Sequence, residues 1–372
     1  MLVGVPTEVK DDEYRVAATP AGLRELIGHG HEVVVQRGAG LGSSIPDSAY
    51  EAVGAKVVDG AEAIWSQADL VLKVKEPIAS EYPLLSARPN QVLFTYLHLA
   101  ASKACTDALV AAGNVAIAYE TVRAANGSLP LLTPMSEVAG RMAPLVGAHH
   151  LMRSGGGRGA LICGVPGVEA ANVMVIGAGV SGMAAATLAV GMHANVHIFD
   201  RDLDKLRQVD HHFRGAVETV ASTTHAIEEL IPLADIVIGA VLVVGAKAPK
   251  LVTDAMVATM RPGSVLIDIA VDQGGCFEST RPTTHSDPTF EVNGSVFYCV
   301  ANMPGAVPHT STHALANATL PYALEIADHG WQAAVHRDAA LREGVNVVAG
   351  DVVYGPVAEA HGLTFAHLDA HL

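Results

Sequence analysis

The stretch Val173-Met-Val-Ile-Gly177-Ala-Gly179-Val180-Ser181-Gly182 constrains the fold of this chain more than any other. Four apolar residues read as a buried strand, three glycines follow at the spacing GxGxxG, and residues 183–191 carry a helical pattern. Gly177 permits the tight turn, Gly179 lets a pyrophosphate approach the backbone, and Gly182 lets the helix pack close to the strand. The helix N-terminus offers its N–H groups to the phosphate charge. Alone, GxGxxG is a weak signal, because glycine-rich turns are common. Here the next strand, residues 195–199, ends in Asp200, about 20 residues past the glycines, where a ribose-binding acid belongs. A carboxylate there accepts hydrogen bonds from the ribose hydroxyls and repels a 2′-phosphate. The pattern therefore predicts NAD over NADP, with Arg201 working against that preference.

Short apolar runs alternate with helical patterns along the rest of the chain. Strands are expected at Leu2–Val5, Glu32–Gln36, Lys56–Val58, 70–74, 91–96 and 116–118, with helices at 20–29, 47–53 and 102–112. The turn signal Asn126-Gly-Ser closes this block. A helix at 136–153 and the loop Ser154-Gly-Gly-Gly-Arg-Gly precede a second block, with strands at 173–176, 195–199, Ile236–Gly239, 264–269 and 297–300. A helix follows over 311–329, and the tail past Trp331 reads as a short cap. The 372 residues suffice for two domains. Half the residues are hydrophobic but only 5% aromatic, with Ala and Val predominating, which suits helices on buried parallel strands. The fold predicted is α/β with two domains, each a mainly parallel sheet flanked by helices, the central one a Rossmann dinucleotide-binding domain.

A net charge of −15 argues against a nucleic-acid footprint and an anionic membrane surface, while leaving room for a local basic pocket. Cys105, Cys163, Cys276 and Cys299 form no CxxC pair and read as reduced thiols. The N-terminus turns polar too early for a signal peptide, and no uncharged run reaches the ~18 residues of a membrane span. A soluble, cytoplasmic protein is expected.

The candidate chemistry lies at strand ends. Lys73 and Lys75 share one face by the period of two, at the crevice where parallel sheets bind ligands; a solvated edge is the competing reading. His98 ends the run Phe94-Thr-Tyr-Leu-His98 and suits proton transfer near neutral pH, although a histidine there is more often structural. Arg15 follows an acidic loop and either clamps a carboxylate bidentately or, more commonly, pairs with Asp12 or Glu13. In the second block Asp268 and Asp272 flank Ile269-Ala270-Val271. Either aspartate faces the nicotinamide, or both form turns. Val300, Ala301, Asn302 and Met303 end another strand that lines the same crevice.

Taken together, these residues make the chain resemble the alanine dehydrogenase family, which extends to transhydrogenase N-terminal regions. The resemblance covers nearly the whole length. It is carried by Gly4-Val-Pro-Thr-Glu8, Arg15, Leu72-Lys-Val-Lys-Glu-Pro77, Phe94-Thr-Tyr-Leu-His-Leu-Ala-Ala101, Pro134-Met-Ser-Glu-Val-Ala-Gly140 and the glycine fingerprint. Asp268-Ile-Ala-Val-Asp-Gln-Gly-Gly-Cys276, Arg281-Pro-Thr-Thr284 and Val300-Ala-Asn-Met-Pro304 complete it.

The resemblance implies reversible oxidation of L-alanine with NAD to pyruvate, ammonium and NADH. It implies Arg15 and Lys75 as substrate-binding residues, His98 as acid/base and Asp272 as a second catalytic residue. Ser136, Val180, Asp200, Lys205, Ser222, Val241, Leu242, Ile269, Arg281 and Asn302 fall at positions similar to the family's NAD contacts. It further implies one domain from residues 1–130 with 308–372, an NAD domain over 131–307, and a homohexamer. His193 stands where the family has a small residue, which puts the turn after the fingerprint helix in doubt. Beyond Val335 the resemblance weakens and no catalytic role is expected. Glu325 and His329, four apart on a helix, are a candidate divalent-metal pair, with an ordinary helix hydrogen bond as the alternative. Two rival functions remain: a transhydrogenase-like component working with a membrane partner, and a non-catalytic NAD-binding protein. The co-occurrence of Arg15, Lys75 and His98 speaks against both.

Overall fold

In the computed structural model, which describes residues 1–241 and 249–372, the strands of the described residues form two separate sheets, one of eight strands and one of seven. The chain divides correspondingly into two units, Met1–Met135 with Val307–Leu372, and Ser136–Ala306. Strands are numbered along the chain.

Unit 1 contains β1 (Leu2–Val5), β2 (Glu32–Gln36), β3 (Lys56–Val58), β4 (Leu70–Leu72), β5 (Val92–Thr95) and β6 (Val115–Ala118), joined from the C-terminal segment by β14 (Val345–Val348) and β15 (Asp351–Val352). Their order is β15-β14-β6-β5-β4-β1-β2-β3. β1 pairs in parallel with both β2 and β4. The chain therefore winds outward through β3 and returns to begin again at β4, so the strand order reverses between β1 and β4. Runs such as Val92-Leu-Phe94 are buried on both faces, which is why they read as continuous apolar stretches rather than alternating ones. Ile64, Trp65, Val71, Leu93, Leu109 and Val347 pack into one cluster on this sheet.

The tail is more than the expected cap. Helices Trp331–Arg337 and Ala339–Glu343 lead into β14, which pairs antiparallel with β6, and β15 folds back on β14. Val345-Asn-Val-Val348 is a short apolar run interrupted by an amide. The buried Asn346 is accommodated because its Nδ2 donates to Thr121 Oγ1 (2.8 Å) and to the Gly344 carbonyl (2.9 Å).

Unit 2 contains β7 (Asn172–Ile176), β8 (Asn195–Asp200), β9 (Glu218–Ala221), β10 (Ile236–Gly239), β11 (Val265–Asp268), β12 (Thr289–Val292) and β13 (Ser295–Tyr298), in the order β12-β13-β11-β10-β7-β8-β9. All pair in parallel except the β12–β13 hairpin. The order reverses between β7 and β10, and a doubly wound sheet binds ligands at such a switch point. Met174, Ile176, Phe199, Val237, Phe277 and Phe297 belong to the core of this unit. The doubtful turn at His193 closes normally. His193 takes φ of 60°, and Ala194 N donates to the Ala189 carbonyl at 3.0 Å to end the helix Val180–Gly191.

Candidate functional site

In unit 1 the residues that follow the C-terminal ends of β1, β4, β5 and β6 supply the charged groups. These four strands are neighbours in the sheet. The face shared by Lys73 and Lys75 is not formed, because β4 ends at Leu72 and the period of two ends with it. Lys73 is wholly buried, with Nζ 3.1 Å from Glu8 Oε2 and 2.9 Å from Glu81 Oε1. Burial alone would lower its pKa, but the two carboxylates outweigh that and hold it above the usual lysine value. Glu8 also accepts the backbone N–H groups of Val74 (2.6 Å) and Lys75 (3.3 Å), so it shapes the segment that presents Lys75. Lys75 itself is half-buried, and its pKa is lowered by burial and then by the positive charge of Arg15.

Arg15 is buried and pairs with Glu13, the partner that local spacing favours. Its Nε donates to Glu13 Oε1 at 2.6 Å and its Nη2 to Glu13 Oε2 at 2.5 Å, while Nη1 lies 3.1 Å from Met135 Sδ. Glu13 thereby fixes the guanidinium plane. A cavity of about 390 Å³, lined by residues 7–15 with Gly38, Ala39 and Gly42, opens beside it, a volume at the small end of metabolite pockets.

His98 is exposed and left-handed, with φ 49° and ψ 36°. Its ring lies nearly parallel to that of Tyr96, 6.0 Å between centroids at 11°, and the buried Tyr96 Oη donates to the Leu131 carbonyl at 2.5 Å. Glu120, just past β6, accepts the His98 N–H at 2.6 Å and the Leu97 N–H at 3.2 Å.

In unit 2 the glycine fingerprint joins β7 to the helix Val180–Gly191 at the switch point. Gly177 has φ of 107°, which side-chain-bearing residues rarely adopt, and a Cβ on Gly182 would lie 1.8 Å from the Gly177 carbonyl oxygen. A Cβ on Gly179 would meet nothing within 4 Å, so the backbone there is open to a ligand. Val180 is exposed and Ser181 half-buried beside that opening. Asp200 ends β8, as expected. Its carboxylate accepts the N–H of Ala178 from the fingerprint (2.9 Å) and that of Asp202 (2.9 Å), and Lys205 Nζ stands 3.8 Å away. Ser222 N donates to the Asp200 carbonyl at 2.9 Å. The open glycine backbone, the helix N-terminus and the acid at the next strand end fit a dinucleotide with free ribose hydroxyls.

After β11 the two aspartates separate in kind. Asp268 is fully buried and accepts N–H from Ala270 (3.1 Å), Cys276 (2.8 Å) and Phe277 (3.4 Å) and the Thr280 hydroxyl (2.5 Å). It braces the loop from inside, and burial raises its pKa despite those bonds. Asp272 is exposed, in the turn Val271–Gln273 that follows Ile269 and the buried Ala270. Arg281 lies over the Phe290 ring at 4.3 Å. The segment after β13 brings Val300, Ala301, Asn302 and Met303 in sequence, and the Asn302 carbonyl sits 2.8 Å from His285 Nε2. Val241 accepts a weak contact from Cys276 Sγ at 3.9 Å. Ser136 is half-buried in the helix Thr133–Leu151, and Leu242 lies outside the described residues.

Glu325 and His329 do come together on their helix, and Glu325 also meets an arginine. Glu325 Oε1 takes Arg337 Nε at 2.5 Å and is 3.9 Å from His329 Nδ1, so the carboxylate already has a cation. Among the described residues no group of three or more His, Cys, Asp or Glu side chains is placed to hold a metal ion. Glu8, Glu120 and Tyr96 were not anticipated as site residues. Their signal was position alone, each lying in or beside a segment that leaves the end of a buried strand.

The family described as alanine dehydrogenase/PNT matches this chain through its N-terminal domain over residues 4–139 and its C-terminal domain over residues 143–355. An alanine dehydrogenase of Mycolicibacterium smegmatis is 60% identical over 365 residues, 98% of each protein. A solved L-alanine dehydrogenase superposes with a TM-score of 0.94 at 48% identity, covering 97% of this chain and 99% of that one. A transhydrogenase from Sinorhizobium meliloti superposes with a TM-score of 0.81 at 26% identity, covering 95% and 99%. With both of its domains represented in order and relatives this similar from end to end, the chain belongs to the alanine dehydrogenase/PNT family.

Proposed function

We propose that the protein catalyses the reversible, NAD-dependent oxidative deamination of L-alanine to pyruvate and ammonium. The observation that carries this reading is the 60% identity to an alanine dehydrogenase over 98% of both chains. The S. meliloti transhydrogenase, at 26%, is much more distant, which places the transhydrogenase-like reading second.

NAD, when bound, supplies the hydride acceptor. Its proposed seat is the fingerprint Gly177, Gly179, Val180, Ser181 and Gly182, with Asp200 and Lys205 toward the adenosine ribose. Ser136, Ser222, Val241, Leu242, Arg281 and the segments 269–272 and 300–303 are proposed as further contacts. Arg15 is proposed to clamp the substrate carboxylate and Lys75 to bond the carboxylate or the keto oxygen, two cations balanced in part by Glu13. His98 is proposed to take the proton from the water that releases ammonium, and Asp272 to act as the second catalytic group. Glu325 and His329 are proposed as a divalent-metal pair, which a metal would have to share with Arg337 at Glu325 Oε1. Residues 1–130 with 308–372 are proposed as the substrate domain and 131–307 as the NAD domain.

The family resemblance also supports a cytoplasmic homohexamer working on small molecules, without nucleic acid or membrane. Among the described residues, no helix is long and apolar enough to cross a membrane. Light scattering tests the assembly directly: a mass near that of one chain would end the hexamer proposal.

The deciding assay follows NADH formation by absorbance with NAD and a panel of L-alanine, L-serine, glycine and L-lysine. A dominant L-alanine rate is expected. His98→Ala should lower that rate by about 10²–10⁴-fold while NAD binding is retained. Silence with every amino acid, with NAD still bound, would replace this function by the transhydrogenase-like or the non-catalytic reading.

A further inference from the structure

We propose that Glu120 is a positioning residue for His98, gripping the backbone that presents the imidazole. The inference rests on the reading of His98 as the proton-transfer group. It starts from conformation. A side-chain-bearing residue held left-handed is sterically disfavoured, and it persists only where its surroundings enforce it. His98 has that conformation at φ 49°, and it is followed by the short turn Leu99–Ala101.

The enforcement comes from one carboxylate. Both Glu120 oxygens lie 3.2 Å from Leu97 N, and Oε1 lies 2.6 Å from His98 N. Hydrogen bonds from N–H to a carboxylate are short and about twice as strong as neutral ones. The anchor is itself fixed. Glu120 sits in the turn Tyr119–Thr121 at the end of β6, a strand paired on both sides. Its neighbour Tyr119 is buried edge-on against Phe94 (4.4 Å) and Tyr96 (5.1 Å). Tyr96 in turn lies beneath the imidazole and is tied down through its hydroxyl. Thus Tyr96 sets the plane of the ring while Glu120 sets the backbone from which the ring projects. A displacement of about 1 Å in such a group lowers a rate by about 10²-fold.

The test is Glu120→Gln, alone and combined with His98→Ala, in the assembled enzyme. Glutamine keeps one acceptor oxygen but loses the negative charge and turns an N–H₂ toward the Leu97 N–H, so the grip is weakened with little change in volume. The single variant should lose about 10–100-fold in kcat, with NAD affinity and Tm near wild type. In the His98→Ala background, replacing Glu120 should lower kcat no further, because the group it positions is gone. Glu120→Asp, which retains both oxygens on a shorter stem, should fall between wild type and Gln; it carries the same test should the Gln variant fail to fold.

Wild-type kcat in Glu120→Gln would overturn the proposal. So would an equal loss with and without His98, which marks a purely structural role. A wild type that makes no NADH from L-alanine would instead overturn the alanine dehydrogenase reading, and this inference with it.

Discussion

The carboxylates around the buried cations of unit 1 and those around the fingerprint and the loop after β11 in unit 2 are held in different ways. In unit 1, Glu8 and Glu81 close on the buried Lys73, and Glu13 closes on the buried Arg15. In unit 2, the buried Asp268 is met by three main-chain N–H groups and one hydroxyl, and Asp200 by two main-chain N–H groups with Lys205 further off. The difference has a physical sense. A small charged substrate is best recognised by fixed full charges, and those must be neutralised among themselves when they are buried. A dinucleotide pyrophosphate is recognised by backbone, so the acids beside it serve to shape backbone. Around these groups, unit 1 is therefore sensitive to charge and unit 2 to conformation.

The largest expected effect tests unit 1. Lys73→Met leaves Glu8 and Glu81 buried without a cation and should remove about 3–5 kcal/mol of stability in denaturant unfolding. A loss under about 1 kcal/mol would dissolve the contrast. Asp268→Asn is the matching change in unit 2. It keeps one acceptor for Ala270 but turns a donor toward Cys276, Phe277 and Thr280, for a smaller loss of about 1–3 kcal/mol. A smaller stability effect still is expected of Asp200→Ser, within about 1 kcal/mol, because its carboxylate is partly exposed. Its mark should be cofactor choice, with the NAD:NADP ratio of kcat/KM falling; an unchanged ratio would remove Asp200 from ribose recognition.

The smallest effect is one of pH. Lys75 has its pKa lowered by burial and by Arg15, so it loses its charge at lower pH than an ordinary lysine. As pH rises through that lowered value, KM for pyruvate should climb while NAD affinity, resting on main-chain donors, stays level. Lys75→Arg, charged throughout, should flatten the climb. A parallel rise in both constants would contradict the division.

What the sequence revealed follows the same line. The fingerprint, Asp200 and the parallel strands were legible because each is a local pattern with a mechanical cause. The β12–β13 hairpin was legible too, since Asn293-Gly294 with both residues at positive φ is a strong hairpin signal between two apolar runs, but it went unread. β9 was harder: Glu218-Thr-Val-Ala221 is an edge strand, mostly exposed, with little apolar pattern. The fate of Lys73 hinged on a strand ending two residues early, within the usual error of a boundary. Nothing local pairs Glu120 with His98, 22 residues away. That pairing exists only once β5 and β6 lie side by side.

The antiparallel pairing of β14 with β6 bears on how the molecule comes into being. Synthesis runs from the N-terminus, so β6 is complete long before Val345 is made. Until then β6 offers an open row of N–H and C=O groups along one margin of an apolar sheet, a template for unwanted strand addition. All of residues 136–306 are translated during that wait. The last segment of the chain thus acts as a seal, closing the site-bearing sheet only after the nucleotide-binding unit has been made.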